Sequence, residues 1–223
     1  MKKQNNYVAL FDLDHTIYDS DSSHVLVRRA HKLGFLKTRD LLKGIGMVLR
    51  HKMGWGDTRR FIETAYRWLE GVPVEDFRRF GNEIVEDTLM GFVHPEIRTI
   101  LTQHQEEGAD IVILSAALEV ICESIARHLG MDHIICSRLE VRDGKYTGRG
   151  LGPPCIGEEK LIRVQAYCRE HGHRLEDAYY YADSILDLPA LEAVGHPVCI
   201  NPDKKLAAEA KERGWTVRTW EGN

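Results

Sequence analysis

The stretch YVALFDLDHTIYDSDSS, Tyr7 to Ser23, opens with five residues that suit a short buried strand and then crowds acidic and hydroxyl-bearing side chains together from Asp12 onward. A strand ending at Asp12, with Asp14 two residues later, turns both carboxylates to one side, because strand side chains alternate with a period of two. The rest of the chain supplies the setting. A helix is expected over Pro95 to Glu107, followed by the apolar runs IVIL (111 to 114), HIIC (133 to 136), AYYYA (178 to 182) and PVCI (197 to 200). Helix-patterned stretches separate them, one to Leu129, one from about Glu158 to Glu170 and another between AYYYA and PVCI, and an amphipathic helix over Asp203 to Arg213 follows the last run. A hairpin is expected to turn at Asp143-Gly144. Continuous apolar strands alternating with helices predict an α/β fold, a parallel sheet covered on both faces with Tyr7 to Phe11 as its first strand.

Between the first two strands, residues 20–91 carry only helical patterning. Ser22 or Ser23 caps an expected helix to about Lys32 with Gly34 as its stop, and Thr38 caps a second through Leu49. Asp57 caps a third, in which Phe61, Ile62, Ala65, Trp68 and Leu69 share a face before Gly71. Glu75 to Met90 follows, with Phe77, Phe80, Ile84 and Leu89 as its apolar face. This block is far longer than an ordinary crossover. It is expected to be an inserted helical cap domain (20–91), leaving 1–19 and 92–223 as the core.

The chain has 223 residues, 43% hydrophobic and 29% charged, enough for a substantial core. A formal net charge of −4 argues against nucleic-acid binding through a global positive field, although local basic patches remain open. The apolar run at Tyr7 to Phe11 is interrupted by Asp12 and is too short for a signal peptide or a membrane span, so no membrane partner and a cytoplasmic location are expected. The five cysteines, Cys122, Cys136, Cys155, Cys168 and Cys199, are scattered, odd in number and never C-x-x-C, which suits buried free thiols.

Ligands of an open parallel sheet bind at the carboxyl ends of its strands, and the polar residues collect at those ends. The first strand runs into Asp12, with Asp14 and Thr16 beyond; IVIL runs into Ser115; AYYYA runs into Asp183, with Asp187 four residues later; Lys160 opens a helix. Converging carboxylates form an all-oxygen pocket suited to Mg²⁺. That set supports phosphoryl transfer. A cation and a lysine offset the charge of a phosphate monoester, one aspartate attacks phosphorus, and the second handles the proton of the leaving alkoxide and then of water. Ser115, with N–H groups at the start of the helix expected after it, would bind phosphate oxygens.

FDLDHT, the SAA at Ser115 to Ala117, Lys160 and DSILD resemble, in order, the four motifs of the haloacid dehalogenase superfamily. LEVRDGKYTG and YADSILDLPALEAVGHPVCINPD look like its subfamily IB, the phosphoserine-phosphatase-like branch. The resemblance implies a Rossmann-like three-layer core with a flap after the first strand and a helical cap inserted there. It implies Asp12 as nucleophile and metal ligand, and Asp14 as general acid/base offering its backbone carbonyl to the metal. Asp183 is the third protein ligand, Asp187 a support of the metal shell, and Ser115, Ala116 and Lys160 the phosphate binders. This chain has Ala182 where family members often have Gly. It has Asp21 where phosphoserine phosphatases typically have a Glu that holds the substrate amine.

Other features carry ordinary readings beside functional ones. The eleven histidines show no helical zinc spacing; His171 and His173 sit at a helix end, and His94 and His196 precede prolines. Basic residues of the cap, Arg28, Arg29, Arg59 and Arg60 among them, suit a solvated face, yet a cap must distinguish one ester from another, so Asp21, His24 and Arg28 are the candidate substrate contacts. Trp55, between two glycines, suits either a lid or an anchoring aromatic. The expectation is a Mg²⁺-dependent phosphatase acting on a small phosphorylated metabolite through an aspartyl phosphate, with phosphoserine or histidinol phosphate heading the substrates. Transfer to an acceptor alcohol and a non-catalytic phosphate-binding regulatory module are the alternatives, and the oligomeric state is unknown.

Overall fold

The computed structural model describes residues 7–34, 36, 38, 39 and 58–220. The body of the helix expected after Thr38, Trp55 and the capping Asp57 lie outside the described residues, as does the side chain of Arg59.

Six strands form one sheet: β1 (Val8–Phe11), β2 (Asp110–Leu118), β3 (His133–Ser137), β6 (Tyr179–Ala182), β7 (His196–Ile200) and β8 (Thr216–Arg218). Their order is β3-β2-β1-β6-β7-β8, and every pairing is parallel. The chain winds outward from β1 to β3 on one side and from β6 to β8 on the other, so the winding reverses between β1 and β6. Such a switch point opens a crevice at the carboxyl ends of the two strands. A separate antiparallel hairpin pairs β4 (Leu139–Arg142) with β5 (Lys145–Gly150), turning at Asp143-Gly144 with both residues at positive φ.

Alternation along the strands divides the interior into two layers. Ala9, Phe11, Ile111, Ile113 and Tyr181 face one hydrophobic cluster, and Val8, Leu10, Val112, Leu114, Tyr180 and Ala182 face the other. All four residues of β1 are fully buried. Each large apolar side chain removed from water in this way contributes about 1.5–3 kcal/mol before conformational entropy is charged against it.

Helices cover both faces: α1 (Ser22–Lys32), α2 (Thr58–Ala65), α3 (Val74–Asp87), α4 (Pro95–Glu107), α5 (Glu119–Leu129), α6 (Glu158–His171), α7 (Leu188–Ala193) and α8 (Lys204–Arg213). Pro95 at the first turn and Gly108 in the left-handed conformation bound α4 where the sequence places it. Between β1 and β2, Phe77, Phe80 and Ile84 of α3 are buried as expected. Gly81 lets α3 lie against α5, since a Cβ there would stand 2.5 Å from a Val120 methyl.

Three local expectations are corrected, and one strand is new. Asp21, not Ser22 or Ser23, caps α1, accepting from the His24 N–H at 3.0 Å. After Ala65 the chain tightens into a 3₁₀ turn, Tyr66–Leu69, which rotates Ala65 outward and buries Tyr66 instead. Strand β2 does not stop at Ser115: it stays beside β3 as far as Leu118, so α5 begins only at Glu119. Strand β8 has no counterpart in the apolar pattern, because its three residues are exposed at the sheet edge. All five cysteines are buried and free. No helix among the described residues is long and apolar enough to cross a membrane.

Candidate active site

The switch point between β1 and β6 gathers the acidic residues. Asp12 follows β1 directly, its backbone N–H donating to the Tyr181 carbonyl at 2.9 Å, so β6 fixes where the strand delivers its carboxylate. One Asp12 oxygen accepts from the Leu13 N–H at 2.8 Å, and the other lies 3.2 Å from Lys160 Nζ. Asp183 follows β6, and Asp187 lies in the 3₁₀ turn that precedes α7. Carboxylate oxygens of Asp12, Asp183 and Asp187 lie within 4.8 Å of one another. Lys160, in the first turn of α6, reaches under them and pairs with Asp187 at 2.5 Å. Only 2% of Lys160 and 2% of Asp187 is exposed, so this charge cluster forms a buried floor.

The electrostatics favour a cation. Burial, then the charges of Asp12 and Asp187, push Asp183 up to about 8. Burial likewise pushes Asp187 to about 7, against the pull of Lys160. Burial alone would lower the Lys160 ammonium, but Asp12 and Asp187 raise it well above the ordinary lysine value. Three carboxylates beside one ammonium leave an excess of negative charge, and an all-oxygen donor set of this size fits Mg²⁺. Thr16 Oγ1 stands 3.5 Å from Asp183 and adds a weak tie between the two strand ends.

Asp14 lies apart from the three clustered carboxylates. One of its oxygens accepts from the Tyr18 hydroxyl at 2.8 Å and the Ser22 N–H at 3.0 Å, and the other from Ser22 Oγ at 3.0 Å. Burial outweighs those donors and holds its carboxyl at about 6. A carboxyl near that value exchanges protons readily around neutrality. His15, at φ 58°, makes the turn that returns the chain from Asp14 toward Thr16.

Ser115, 2% exposed, lies on β2 two residues beyond Ile113, the partner of Phe11 at the end of β1. Its expected partner, the start of a helix, is displaced by the longer strand. The β2–β3 ladder shifts register between Ser115 and Leu118, bracketing Ala116 and Ala117, and the Ala117 N–H donates to Ser115 Oγ at 3.3 Å. Irregular strand backbone, not a helix terminus, therefore flanks the serine.

The sequence pattern of the haloacid dehalogenase-like hydrolases matches residues 9–192, a span that holds every one of these site residues. The chain belongs to that family. A probable phosphatase of Mycobacterium tuberculosis is 36% identical over 212 residues, covering 94% of this chain and 74% of that one. A histidinol-phosphatase of Neisseria meningitidis is 31% identical over 215 residues, covering 94% and 97%. Among solved structures, a protein of unknown function from Bordetella pertussis superposes with a TM-score of 0.88 at 28% identity, covering 96% of this chain and 98% of the other. The chain is accordingly a phosphatase of the haloacid dehalogenase-like family, a phosphoric monoester hydrolase.

The remaining candidates divide. Asp21 is committed locally: burial would raise its carboxyl, but the Ser23 hydroxyl and the His24 N–H lower it, and the His24 ring lies 3.5 Å away. His24 and Arg28 are exposed on α1, and Arg29 pairs with Asp87 at 2.8 Å. Three contributors carry no legible signal in the sequence. Tyr180 accepts from Lys160 at 3.0 Å. Arg163 donates to Glu159 at 2.9 Å, to the Cys136 carbonyl at 2.6 Å and to the Pro153 carbonyl at 2.5 Å, fastening the loop before α6 to the end of β3. Asp203 caps α8 and also accepts from the Ile185 N–H at 2.7 Å, while its own N–H donates to the Asp183 carbonyl at 2.8 Å. Ordinary i,i+4 pairing and helix capping would describe Arg163 and Asp203 equally well, and only the tertiary contacts reveal their further ties.

Proposed function

We propose that this phosphatase hydrolyses a small phosphorylated metabolite with Mg²⁺ as cofactor and an aspartyl phosphate on Asp12 as intermediate. The observation that carries the reading is the convergence of Asp12, Asp183, Asp187 and Lys160 on one buried floor at the switch point of the sheet. Asp12, Asp183, Asp187 and the backbone carbonyl of Asp14 would hold the cation, which when bound supplies charge compensation for the phosphate. Lys160 adds a fixed positive charge from below, and Ser115 with the Ala116 backbone binds phosphate oxygens from the side.

A carboxylate oxygen of Asp12 forms the bond to phosphorus as the ester P–O bond breaks. The Asp14 carboxyl gives its proton to the departing alkoxide. Asp14, now a carboxylate, takes a proton from water; the water oxygen bonds to phosphorus and the bond to Asp12 breaks, releasing inorganic phosphate. Residues 20–91 act in this reading as the cap over a core of 1–19 and 92–223, with Asp21, His24 and Arg28 at its edge meeting the leaving group. Histidinol phosphate and phosphoserine are the first substrates to test, the former because the Neisseria relative bears that name at near full-length coverage. The cytoplasm is the expected location.

A phosphate-release assay over a metabolite panel, with Mg²⁺ and with a chelator, tests the reading. Turnover is expected only with the cation, and Asp12→Asn is expected to remove it by a factor of about a thousand or more while circular dichroism stays unchanged. Substantial residual hydrolysis by Asp12→Asn would sink the nucleophile assignment. Adding a hydroxylated acceptor separates hydrolysis from phosphotransfer, since only transfer yields a new ester.

A further inference from the structure

Three consecutive tyrosines in β6 have unlike surroundings. Tyr179 and Tyr181 face the α4 side, where the Tyr181 hydroxyl meets His104 Nε2 at 2.8 Å and its ring stacks on Phe11. Tyr180 points the other way, into the layer beneath the active site, and is fully buried. Its hydroxyl accepts from Lys160 Nζ at 3.0 Å, so a side chain of β6 meets the first turn of α6 under the carboxylates.

An ammonium has three donors and no acceptor. Lys160 meets three acceptors: Asp12 at 3.2 Å, Asp187 at 2.5 Å and the Tyr180 hydroxyl at 3.0 Å. A phenolic hydroxyl accepts from Lys160 while keeping a proton of its own to donate. A carboxylate in its place could only accept, and a phenylalanine could do neither.

We propose that Tyr180 is a positioning residue whose hydroxyl, by accepting from the Lys160 ammonium, bridges β6 to α6 and fixes the phosphate-binding lysine relative to the metal-holding carboxylates. This rests on the phosphatase reading above. The bridge supplies order in a place where two opposed charges and a mobile four-carbon stem would otherwise find several arrangements. Outer contacts of this kind orient the groups that touch metal and substrate.

Tyr180→Phe keeps the ring and removes the bridge. In calorimetry on substrate-free protein, its Mg²⁺ affinity is expected to fall by about ten- to a hundredfold, and kcat/KM for the best substrate by a similar factor. A packing role alone would lower Tm and leave both constants within about twofold, and that result overturns the bridge. Wild-type protein that neither binds Mg²⁺ nor turns over any ester would instead overturn the phosphatase reading, and the bridge with it. Should Tyr180→Phe fail to fold, proton NMR of wild-type protein decides. A slowly exchanging Tyr180 hydroxyl resonance that shifts in Lys160→Met supports the bridge, and a resonance unmoved by that substitution overturns it.

Discussion

Asp14, Asp183 and Asp187 show how one chemical group is shifted to different degrees by its surroundings. All three carboxyls are raised by burial, to about 6, 8 and 7, from an ordinary value of 3.8. Asp183 and Asp187 face other negative charge at the cluster; Asp14 also feels the charges of Asp12 and Asp21, but Tyr18 and Ser22 at the start of α1 donate to it and pull it back down. The sign of the linkage follows from these directions. Between about pH 4 and pH 8 these three carboxyls bind more protons in the folded protein than in the unfolded chain, so the stability they contribute is fullest at the acid end and is lost as pH rises through the folded values. A cation held by the ionised carboxylates would offset that loss. Thermal unfolding in chelator is therefore expected to show Tm falling by several degrees from pH 5.5 to pH 8.5. The rise in Tm on adding Mg²⁺ is expected to be larger at pH 8.5 than at pH 5.5. An increment independent of pH would contradict the placement of the cation at Asp183 and Asp187. At this scale the sequence displays the carboxylates and the lysine clearly. It is silent on Tyr180, because nothing in a run of three tyrosines says which one turns toward Lys160.

Elements carry the site by their ends and by how closely they pack. Helix α6 presents Lys160 from its first turn, and Arg163, one turn later, secures the preceding loop through the Cys136 and Pro153 carbonyls. Arg163→Met keeps the stem and removes the fork. Its kcat/KM is expected to fall by about tenfold with little change in secondary structure, measured by steady-state kinetics beside circular dichroism, because Lys160 then rests on an unfastened turn. Helix α3 packs through Gly81, where an added Cβ would meet the stiff side chain of Val120 at 2.5 Å. Gly81→Ala is expected to destabilise by about 1–3 kcal/mol in urea unfolding, and Val120→Ala in the same chain is expected to restore part of that loss by making room. Independent, additive effects of the two substitutions would show that the contact is not the cause. Helix α4 and the Asp143-Gly144 turn stand where proline, glycine and the turn pair place them, since those signals act within a few residues. The length of β2 escapes such signals. SAAL after IVIL looks like the approach to a helix, and only the pairing of Leu118 with Ser137 keeps it extended.

Across the whole molecule, the flap after β1 is supported from the far end of the chain. The Trp220 indole N–H donates to the Thr16 carbonyl at 3.3 Å, its backbone N–H donates to Asn201 at 2.9 Å, and the ring, 8% exposed, lies beside His94. Trp220→Ala is expected to cost about 3–5 kcal/mol of stability in urea unfolding. Hydrogen exchange is expected to speed up at Ile17 and Tyr18 ahead of the sheet; uniform acceleration across β1 and β6 would mean that the contact supports the fold generally and not the flap. By itself the sequence determined the α/β class, most of the strands, the helices at Ser22–Lys32 and Val74–Asp87 between β1 and β2, and the order of the acidic residues along the chain. Those follow from periodicity and from the chemistry of single side chains, which short-range physics fixes. Only the tertiary structure decided that Asp21 serves as a helix cap, that β8 exists as a three-residue edge, that irregular strand backbone flanks Ser115, and that Lys160 stands on Tyr180 as well as on two carboxylates. Each of these depends on which distant group fills a donor, an acceptor or a sheet edge, and that pairing is settled when the chain closes on itself.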